Sequence, residues 1–293
     1  MPITYDTPLW RPPSEAESLI LQATIGCSYN RCSFCSMYRT KSFRARPLAD
    51  VLGDIDRVAR AMPDVRRIFL ADGDALVLPV PHLEAILDHA AARFPHLARV
   101  SCYAMPVNLI EKSTEDLSRL REKKLGILYY GIESGAAGIQ RRITKGATPK
   151  VMVEGLLKAR AAGLKVSATV VLGLGGKRHW QEHVDGTLDL LARAPLNFLS
   201  TLILGLDESI ALEFRRKFGD DFEPQDDFGT LDELERLIQD LAPPRPLIFR
   251  SNHASNALAL AGNLPKDRGL LLATIAAARA RLIPLRPRWV RGY

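Results

Sequence analysis

Nearly continuous apolar runs recur along the chain, and each of the first five is followed by a stretch with helical spacing. Such runs, rich in β-branched residues, are typical of strands buried on both faces of a parallel sheet. We expect strands over residues 19–25, 67–71, 99–103, 126–132, 165–172 and 197–204, with a further one over 247–249.

Helical patterns lie between these runs. Apolar residues over 48–62 form one stripe of an amphipathic helix. Ser113 or Thr114 can cap another helix, Pro149 suits a first helical position, and Gly163 suits a C-terminal cap. We expect helices over 48–62, 82–94, 114–124, 149–162, 180–192, 231–241 and 267–282. Strands that alternate with helices predict the α/β class, here a partial (β/α)6 TIM-like barrel. Ligands of such sheets lie at the carboxyl ends of the strands.

The alternation changes after Leu206. Acidic segments over 207–214 and 218–229 are interpreted as loops before the helix over 231–241. We therefore expect a barrel core over 1–206 and a C-terminal extension over 207–293 that packs on it. The tail over 281–293 carries two prolines and a Trp, so we expect no regular element there.

The chain of 293 residues has a formal net charge of +7. Basic residues are dense in the tail and in one early segment that contains Arg31, Arg39, Lys41, Arg44 and Arg46. A solvated basic surface is the simplest interpretation, and an anionic or nucleic-acid partner is the alternative.

The sequence offers no long uncharged apolar run and no basic leader followed by an apolar stretch, so we expect neither a transmembrane helix nor a signal peptide. The expected location is the cytoplasm, where thiols stay reduced. Four cysteines are too few for a disulfide scaffold, and their clustering favours metal or redox chemistry.

Three of the cysteines form a C-x4-C-x2-C motif, GCSYNRCSFC, directly after the first predicted strand: Cys27, Cys32 and Cys35. Three thiolates on one loop can hold three irons of a [4Fe–4S] cluster and leave the fourth iron open. A structural zinc site needs four ligands, for which Cys102 is a candidate. Cys102 lies in an apolar strand, where a lone cysteine is usually a small buried hydrophobe. A non-catalytic iron–sulfur protein, which normally has four cysteine ligands, is a further alternative.

This loop resembles that of the radical S-adenosylmethionine (SAM) superfamily, in particular its coproporphyrinogen-dehydrogenase and methylthiotransferase-like branch. The usual spacing there is C-x3-C-x2-C, and this chain has one residue more. The resemblance implies that a [4Fe–4S] cluster and SAM are the cofactors, with Phe34 beside the adenine. The alternative is that Phe34 only fills the hydrophobic core, as most buried aromatic side chains do.

Two segments resemble the parts of this family that hold the methionine and ribose of SAM. FLADGDAL implies that the backbone at Gly73 and the carboxylate of Asp72 or Asp74 bind the amino group, although a strand-end turn explains the same residues. GIESG implies that Glu133 binds the ribose hydroxyls, and ITKGATP implies that Lys145, or Arg142 in its place, binds the carboxylate. A capping Glu and a surface Lys are the alternatives.

The segment VVLGLGG resembles the family's adenine-contacting strand end, which implies roles for Val171, Gly173 and Gly175. The implied activity is reductive cleavage of SAM to a 5′-deoxyadenosyl radical that abstracts hydrogen from a substrate, with flavodoxin or ferredoxin as electron donor. We expect no auxiliary cluster and no cobalamin-binding domain, because there is no second cysteine cluster and too little chain.

The segment RSNHASN, which follows the last predicted strand, is dense in hydrogen-bonding groups. Arg250, Asn252, His253 and Asn256 are candidates for substrate binding, and a turn satisfied by Asn and Ser side chains is the alternative. The sequence does not identify the substrate. A protein that binds or modifies tRNA or rRNA is the main rival hypothesis, because of the positive charge.

Overall fold

The computed structural model describes residues 2–292, and these form strands that alternate with helices. The strands are β1 (Leu19–Gln22), β2 (Thr24–Ile25), β3 (Arg44–Ala45), β4 (Arg67–Ala71), β5 (Arg99–Ala104), β6 (Leu125–Glu133), β7 (Lys165–Leu172), β8 (Phe198–Ile203), β9 (Leu247–Ser251) and β10 (Leu260–Leu264). The sheet order is β1-β4-β5-β6-β7-β8-β9-β10, and β2 pairs with β3 separately. The expected α/β class is confirmed.

Ten helices occur in the described part of the chain, and seven of them correspond to the predicted ones. They are α1 (Leu48–Ala61), α2 (Val80–Arg93), α3 (Pro106–Glu111), α4 (Thr114–Glu122), α5 (Ala137–Arg142), α6 (Pro149–Ala161), α7 (Gly176–Arg193), α8 (Glu208–Phe218), α9 (Asp227–Asp240) and α10 (Arg268–Arg279). Ser113 caps α4 as expected, since its side chain accepts a hydrogen bond from the Asp116 N–H at 3.0 Å. None of the helices within residues 2–292 is both long and apolar enough to span a bilayer.

Contacts divide the chain into two compact units. The first unit holds residues 2–30, 37–130 and 157–166, and the second holds 31–36, 131–156 and 167–292. These units are defined by spatial contacts, whereas the expected core over 1–206 and extension over 207–293 are defined by a change in sequence pattern. That boundary stays a prediction.

In the first unit, β1, β4, β5 and the start of β6 pair in parallel. Leu21, Leu70, Cys102 and Leu128 are in register across these strands, and all are at most 1% exposed. Along β4 the consecutive residues 68–71 are also all buried, which is the continuous apolar pattern that the sequence predicted. The antiparallel pair of β2 and β3 joins the two ends of the segment over 26–43, which contains the cysteine motif.

In the second unit, β8 pairs in parallel with both β7 and β9, and β10 runs antiparallel to β9. The interpretation of residues 207–214 as a loop is wrong, because α8 covers most of them. Ile210, Phe214 and Phe218 are spaced four residues apart and are buried, so this helix has a regular apolar face. The acidic residues of the segment lie at its start, where carboxylates stabilise a helix.

The C-terminal tail contains one 3₁₀ turn, Arg288–Val290, and no α-helix or strand up to residue 292, as expected. Arg291 is buried and donates two hydrogen bonds, both of 2.8 Å, to the carboxylate of Asp227 at the start of α9. The tail is therefore anchored on the second unit by a bidentate ion pair.

Candidate active site

The cysteine motif begins at the end of β2. Cys27, Cys32 and Cys35 are half-buried, and none of the cysteines in residues 2–292 is in a disulfide. Cys102 is fully buried, and burial raises the pKa of its thiol, so it matches the small buried hydrophobe of the sequence analysis. Within the described residues, no three His, Cys, Asp or Glu side chains converge as ligands of a single metal ion would. Thiolates that each bind a different iron of a cluster need not converge on one point.

Asp72 connects the start of the cysteine loop to a buried lysine. Its fully buried carboxylate accepts hydrogen bonds from the Gly26 N–H at 2.8 Å, from Gln22 Nε2 at 2.9 Å and from Lys41 Nζ at 2.9 Å. The interpretation of the basic segment as solvated is therefore wrong for Lys41, which is 7% exposed. Asp72 needs a cation because an unpaired buried carboxylate is costly.

Gly73 packs directly against the cysteine loop. A Cβ at this position would lie 2.6 Å from Tyr38 Cε2 and 2.9 Å from the Cβ of Cys27. The Gly73 N–H donates to the Gly26 carbonyl at 3.0 Å. The close approach of the Tyr38 ring and the Cys27 Cβ therefore requires glycine at this position.

Asp74, two residues after Asp72, has an incompletely satisfied carboxylate. Its Oδ2 accepts hydrogen bonds from the Ser28 hydroxyl and, at 3.5 Å, from Asn108 Nδ2. Its Oδ1 is buried and has no hydrogen-bond partner among residues 2–292. Burial raises the pKa of this carboxyl to about 6, against the opposing effect of the Ser28 hydrogen bond. An unpartnered buried acceptor of this kind can receive a ligand's N–H or O–H group.

Glu133 and Lys145 form a buried ion pair in the second unit. Lys145 Nζ donates to Glu133 Oε1 at 2.9 Å, and each residue is 8% exposed. Burial by itself lowers the pKa of Lys145. The negative charges of Glu133 and of the Cys32 and Cys35 thiolates raise this pKa by a larger amount, so the net shift is upward. Glu133 ends β6 in the left-handed backbone region with φ of 61°, which is uncommon outside glycine and typical of functional sites.

Phe34 and Val171 share one apolar cluster. Phe34, between Cys32 and Cys35 in the sequence, is half-buried and packs against buried side chains of α5, β7 and α8. The buried members are Ala136, Ile139, Ile143, Val171, Leu174, Phe214 and Phe218. The structure thus joins two residues that the sequence analysis assigned to the adenine.

Arg142, the expected substitute for Lys145, is already paired. Its Nη1 donates to the Phe218 carbonyl at 2.6 Å and to Asp221 Oδ1 at 2.7 Å. The hydrogen bonds from Arg142 and His179 lower the pKa of the Asp221 carboxyl to about 2. These contacts connect α5 to the loop after α8.

A buried network that the sequence analysis missed lies beneath Gly173. The Gly173 N–H donates to Glu233 Oε2 at 2.7 Å, and His183 Nε2 lies 3.9 Å from the same oxygen. His183 Nδ1 is 2.8 Å from the Ser134 hydroxyl. Burial raises the pKa of Glu233 to about 7 and lowers that of His183 to about 4. Along the chain, His183 is 49 residues from Ser134 and 50 residues from Glu233, so no local motif revealed this network.

The RSNHASN segment divides into structural and accessible residues. Asn256 is buried and donates to the Thr201 carbonyl at 2.8 Å and to Ser251 Oγ at 2.9 Å. His253 Nδ1 lies 2.9 Å from the Ser255 hydroxyl, and burial lowers the pKa of this His. Asn252 is exposed, and Arg250 is half-buried at the end of β9.

Comparison with protein families gives a match to the radical SAM superfamily over residues 21–191, which is more than half of the chain. Comparison with curated protein sequences found no significant match.

Several solved structures have a similar fold. Coproporphyrinogen III oxidase (HemN) from Escherichia coli, described as a radical SAM enzyme, is 19% identical with a TM-score of 0.58 over 76% of this chain and 51% of its own. Methylornithine synthase (PylB) is 13% identical with a TM-score of 0.56 over 88% of this chain and 68% of its own. The cobalamin-dependent SAM radical enzyme OxsB, with aqua-cobalamin and SAM bound, is 19% identical with a TM-score of 0.52 over 69% of this chain.

The chain spans about half the length of HemN and 30% of that of OxsB. At these identities the likeness shows the fold, and the expected partial TIM-like barrel is confirmed.

Proposed function

The chain belongs to the radical SAM superfamily, whose members are enzymes that bind a [4Fe–4S] cluster and SAM, and we propose that it cleaves SAM reductively to act on a substrate by hydrogen abstraction. A reduced [4Fe–4S] cluster held by Cys27, Cys32 and Cys35 would supply one electron to the sulfonium of SAM, so that its bond to C5′ breaks into methionine and a 5′-deoxyadenosyl radical. The observation that carries the proposal is the buried ion pair of Lys145 and Glu133, with Cys32 and Cys35 near enough for their charge to raise the pKa of this lysine. Residues assigned separately to SAM and to the cluster thus influence one another electrostatically.

The three thiolates of Cys27, Cys32 and Cys35 are the proposed cluster ligands. Their chemistry fits, since cysteine thiolate is the usual ligand of iron in such clusters. Cys102 is not included, because burial keeps its thiol protonated.

Asp74, rather than Asp72, is the proposed acceptor for the amino group of SAM. The carboxylate of Asp72 is already engaged by Lys41, Gly26 and Gln22. Asp74 Oδ1 has no partner among residues 2–292, and an ammonium would supply both a hydrogen bond and a counter-charge. The backbone at Gly73 would lie beside the same group.

Glu133 is the proposed ligand of the ribose hydroxyls, since a carboxylate accepts two hydrogen bonds well. Lys145 is the proposed partner of the SAM carboxylate. Arg142, which donates to Asp221 and to the Phe218 carbonyl, is the alternative partner of that carboxylate. Phe34, Val171, Gly173 and Gly175 are proposed to bound the adenine, with the two glycines allowing the backbone to approach a flat ring.

The proposal needs an external one-electron donor, for which flavodoxin or ferredoxin is suitable. It also implies the cytoplasm as location, because three cysteine ligands must stay reduced. We further propose residues 1–206 as the catalytic core, with the extension over 207–293 contributing to the binding of substrate.

Cluster content after cysteine replacement tests the proposal. Anaerobically reconstituted protein should hold about four irons. Cys27→Ala, Cys32→Ala and Cys35→Ala should each lose most of this iron, whereas the matched control Cys102→Ala should keep it. A protein that holds zinc instead of iron, and that loses this zinc in Cys102→Ala, would contradict the proposal and support a structural zinc site.

A further inference from the structure

Two faces of the sheet in the second unit differ in burial. Ala168, Leu199 and Phe249 are in register on β7, β8 and β9, and all three are fully buried. Because side chains alternate along a strand, the next residue of each strand lies on the opposite face. On that face Thr169 of β7 and the side chains of β8 and β9 remain partly accessible, as ligand-binding surfaces require.

The next residues are Thr169, Ser200 and Arg250, which form one row. Thr169 pairs with Ser200, and Ser200 pairs with Arg250. All three are half-buried. Thr169 precedes Val171 by two residues on β7. The row therefore lies on the same face of the sheet as Val171, about 7 Å from it along the strand.

Arg250 lacks an acidic partner. Its Nη1 donates to the carbonyls of Phe249 at 2.7 Å and Gly262 at 3.3 Å, which anchors one side of the guanidinium. No carboxylate among residues 2–292 lies within 4.0 Å of it. By contrast, the interior cations Lys41, Lys145 and Arg291 each have an acidic partner. A half-buried guanidinium that is anchored but not neutralised favours an anionic ligand.

The two hydroxyls of the row are also available. Neither Thr169 nor Ser200 makes a side-chain hydrogen bond to another residue in the described chain. A hydroxyl can donate to an anion while the guanidinium contributes charge and further N–H groups. His253, three residues after Arg250, is shifted towards its neutral form, because burial and then Arg286 lower its pKa.

We infer that Arg250, with Ser200 and Thr169, binds a singly charged oxyanion of the substrate. A carboxylate is the expected group, because its one negative charge matches the one positive charge of Arg250. This inference rests on the proposed function, since it assigns the row to the substrate of the same enzyme. Within the RSNHASN segment the inference assigns a ligand to Arg250 but not to Asn256 or Ser255, because the side chains of these two residues are held by structural hydrogen bonds.

Anion titration of the reconstituted protein at constant ionic strength tests this inference. With SAM bound, so that the carboxylate site at Lys145 is occupied, acetate should bind to one site and more tightly than inorganic phosphate. Arg250→Gln should weaken acetate binding at least tenfold, and Arg250→Lys should weaken it less, because lysine keeps the charge but lacks the planar fork. Ser200→Ala and Thr169→Val should each weaken it about threefold to tenfold.

Two controls distinguish the possible outcomes. Arg279→Gln removes the same charge from an arginine that is paired with Asp232, and it should leave acetate binding unchanged. Iron content and SAM affinity should also be unchanged in Arg250→Gln. Equal acetate binding by wild type and Arg250→Gln would overturn the inference, and phosphate binding in preference to acetate would overturn the choice of carboxylate. A loss of SAM affinity in Arg250→Gln would place Arg250 at SAM instead.

Failure of the proposed function would look different. In that case the iron would be absent or SAM would not be cleaved, whatever the anion titration gives. If Arg250→Gln does not fold by circular dichroism, the Ser200→Ala and Thr169→Val titrations decide, because unchanged acetate binding in both would contradict the row as a binding site.

Discussion

Lys145 Nζ lies 2.9 Å from Glu133 Oε1, and the side chains of both residues are about one-tenth exposed. Removing only one partner leaves a buried charge without its counter-charge, which typically costs about 3–5 kcal/mol. Lys145→Met should therefore lower the free energy of unfolding by an amount near that range, as measured by urea denaturation. The double variant Glu133→Gln with Lys145→Met should recover most of this loss. Equal destabilisation by the single and double variants would contradict the pairing.

Asp72 and Asp74 should respond differently to replacement by asparagine. Asp72→Asn leaves Lys41 buried without a full counter-charge, so stability and cluster content should fall. Asp74→Asn should preserve the cluster and weaken SAM binding, measured by isothermal titration, by roughly tenfold or more, the range for a hydrogen bond to a charged group. Unchanged SAM affinity in Asp74→Asn would remove Asp74 from the SAM site.

Asp74 also predicts a pH dependence. The pKa of its carboxyl is about 6 in the folded protein, against 3.8 for an unperturbed Asp in the unfolded chain. Between these pH values the folded state therefore binds more protons than the unfolded state. The contribution of Asp74 to the free energy of unfolding therefore falls as pH rises through that window. The fall is at most about 3 kcal/mol, because one pKa unit corresponds to 1.36 kcal/mol. Asp74→Asn removes this contribution. The difference in unfolding free energy, Asp74→Asn minus wild type, should increase from pH 4 to pH 6, and a constant difference would contradict the raised pKa.

Glu233 and His183 should oppose each other in their pH effects. Glu233 has a pKa raised from 4.5 to about 7, so it lowers stability as pH rises through that range. His183 has a pKa lowered from 6.5 to about 4, so its contribution to stability is lost as pH falls through that range. Relative to wild type, Glu233→Gln should thus gain stability with rising pH, and His183→Gln should lose it. Parallel pH profiles for the two variants in chemical denaturation would contradict this account.

Gly73 should not tolerate a side chain. Gly73→Ala places a Cβ 2.6 Å from the Tyr38 ring and 2.9 Å from the Cβ of Cys27, so the cysteine loop must shift. Iron bound after reconstitution should fall by more than half. Gly269→Ala is the matched control, since nothing lies within 4 Å of its added Cβ and alanine favours the helix by about 0.5–1 kcal/mol over glycine. Full iron content in Gly73→Ala would show that the close approach is not needed.

The sequence predicted the strands well because strands such as β4 are buried on both faces and are therefore apolar with little interruption. It predicted α8 wrongly because acidic residues near its start obscured the spacing of Ile210, Phe214 and Phe218. It gave no sign of β10, whose five residues include Gly262 and Asn263 and show no clear alternation.

The candidate site was less predictable. Residues in the cysteine motif or at strand ends could be proposed from local sequence, but the ion pair between Glu133 and Lys145 was not predicted. Lys41 was misinterpreted as solvated because its partner Asp72 is 31 residues away. Glu233 and His183 were missed for the same reason, since burial and pairing depend on contacts distant in sequence.

Product analysis tests the central claim most directly. Reconstituted protein is incubated anaerobically with SAM and dithionite, and 5′-deoxyadenosine is measured by liquid chromatography and mass spectrometry. We expect 5′-deoxyadenosine to form with the wild-type protein and with Cys102→Ala, and to be absent without dithionite or in Cys32→Ala. Protein that holds about four irons and binds SAM, yet yields no 5′-deoxyadenosine, would contradict the account.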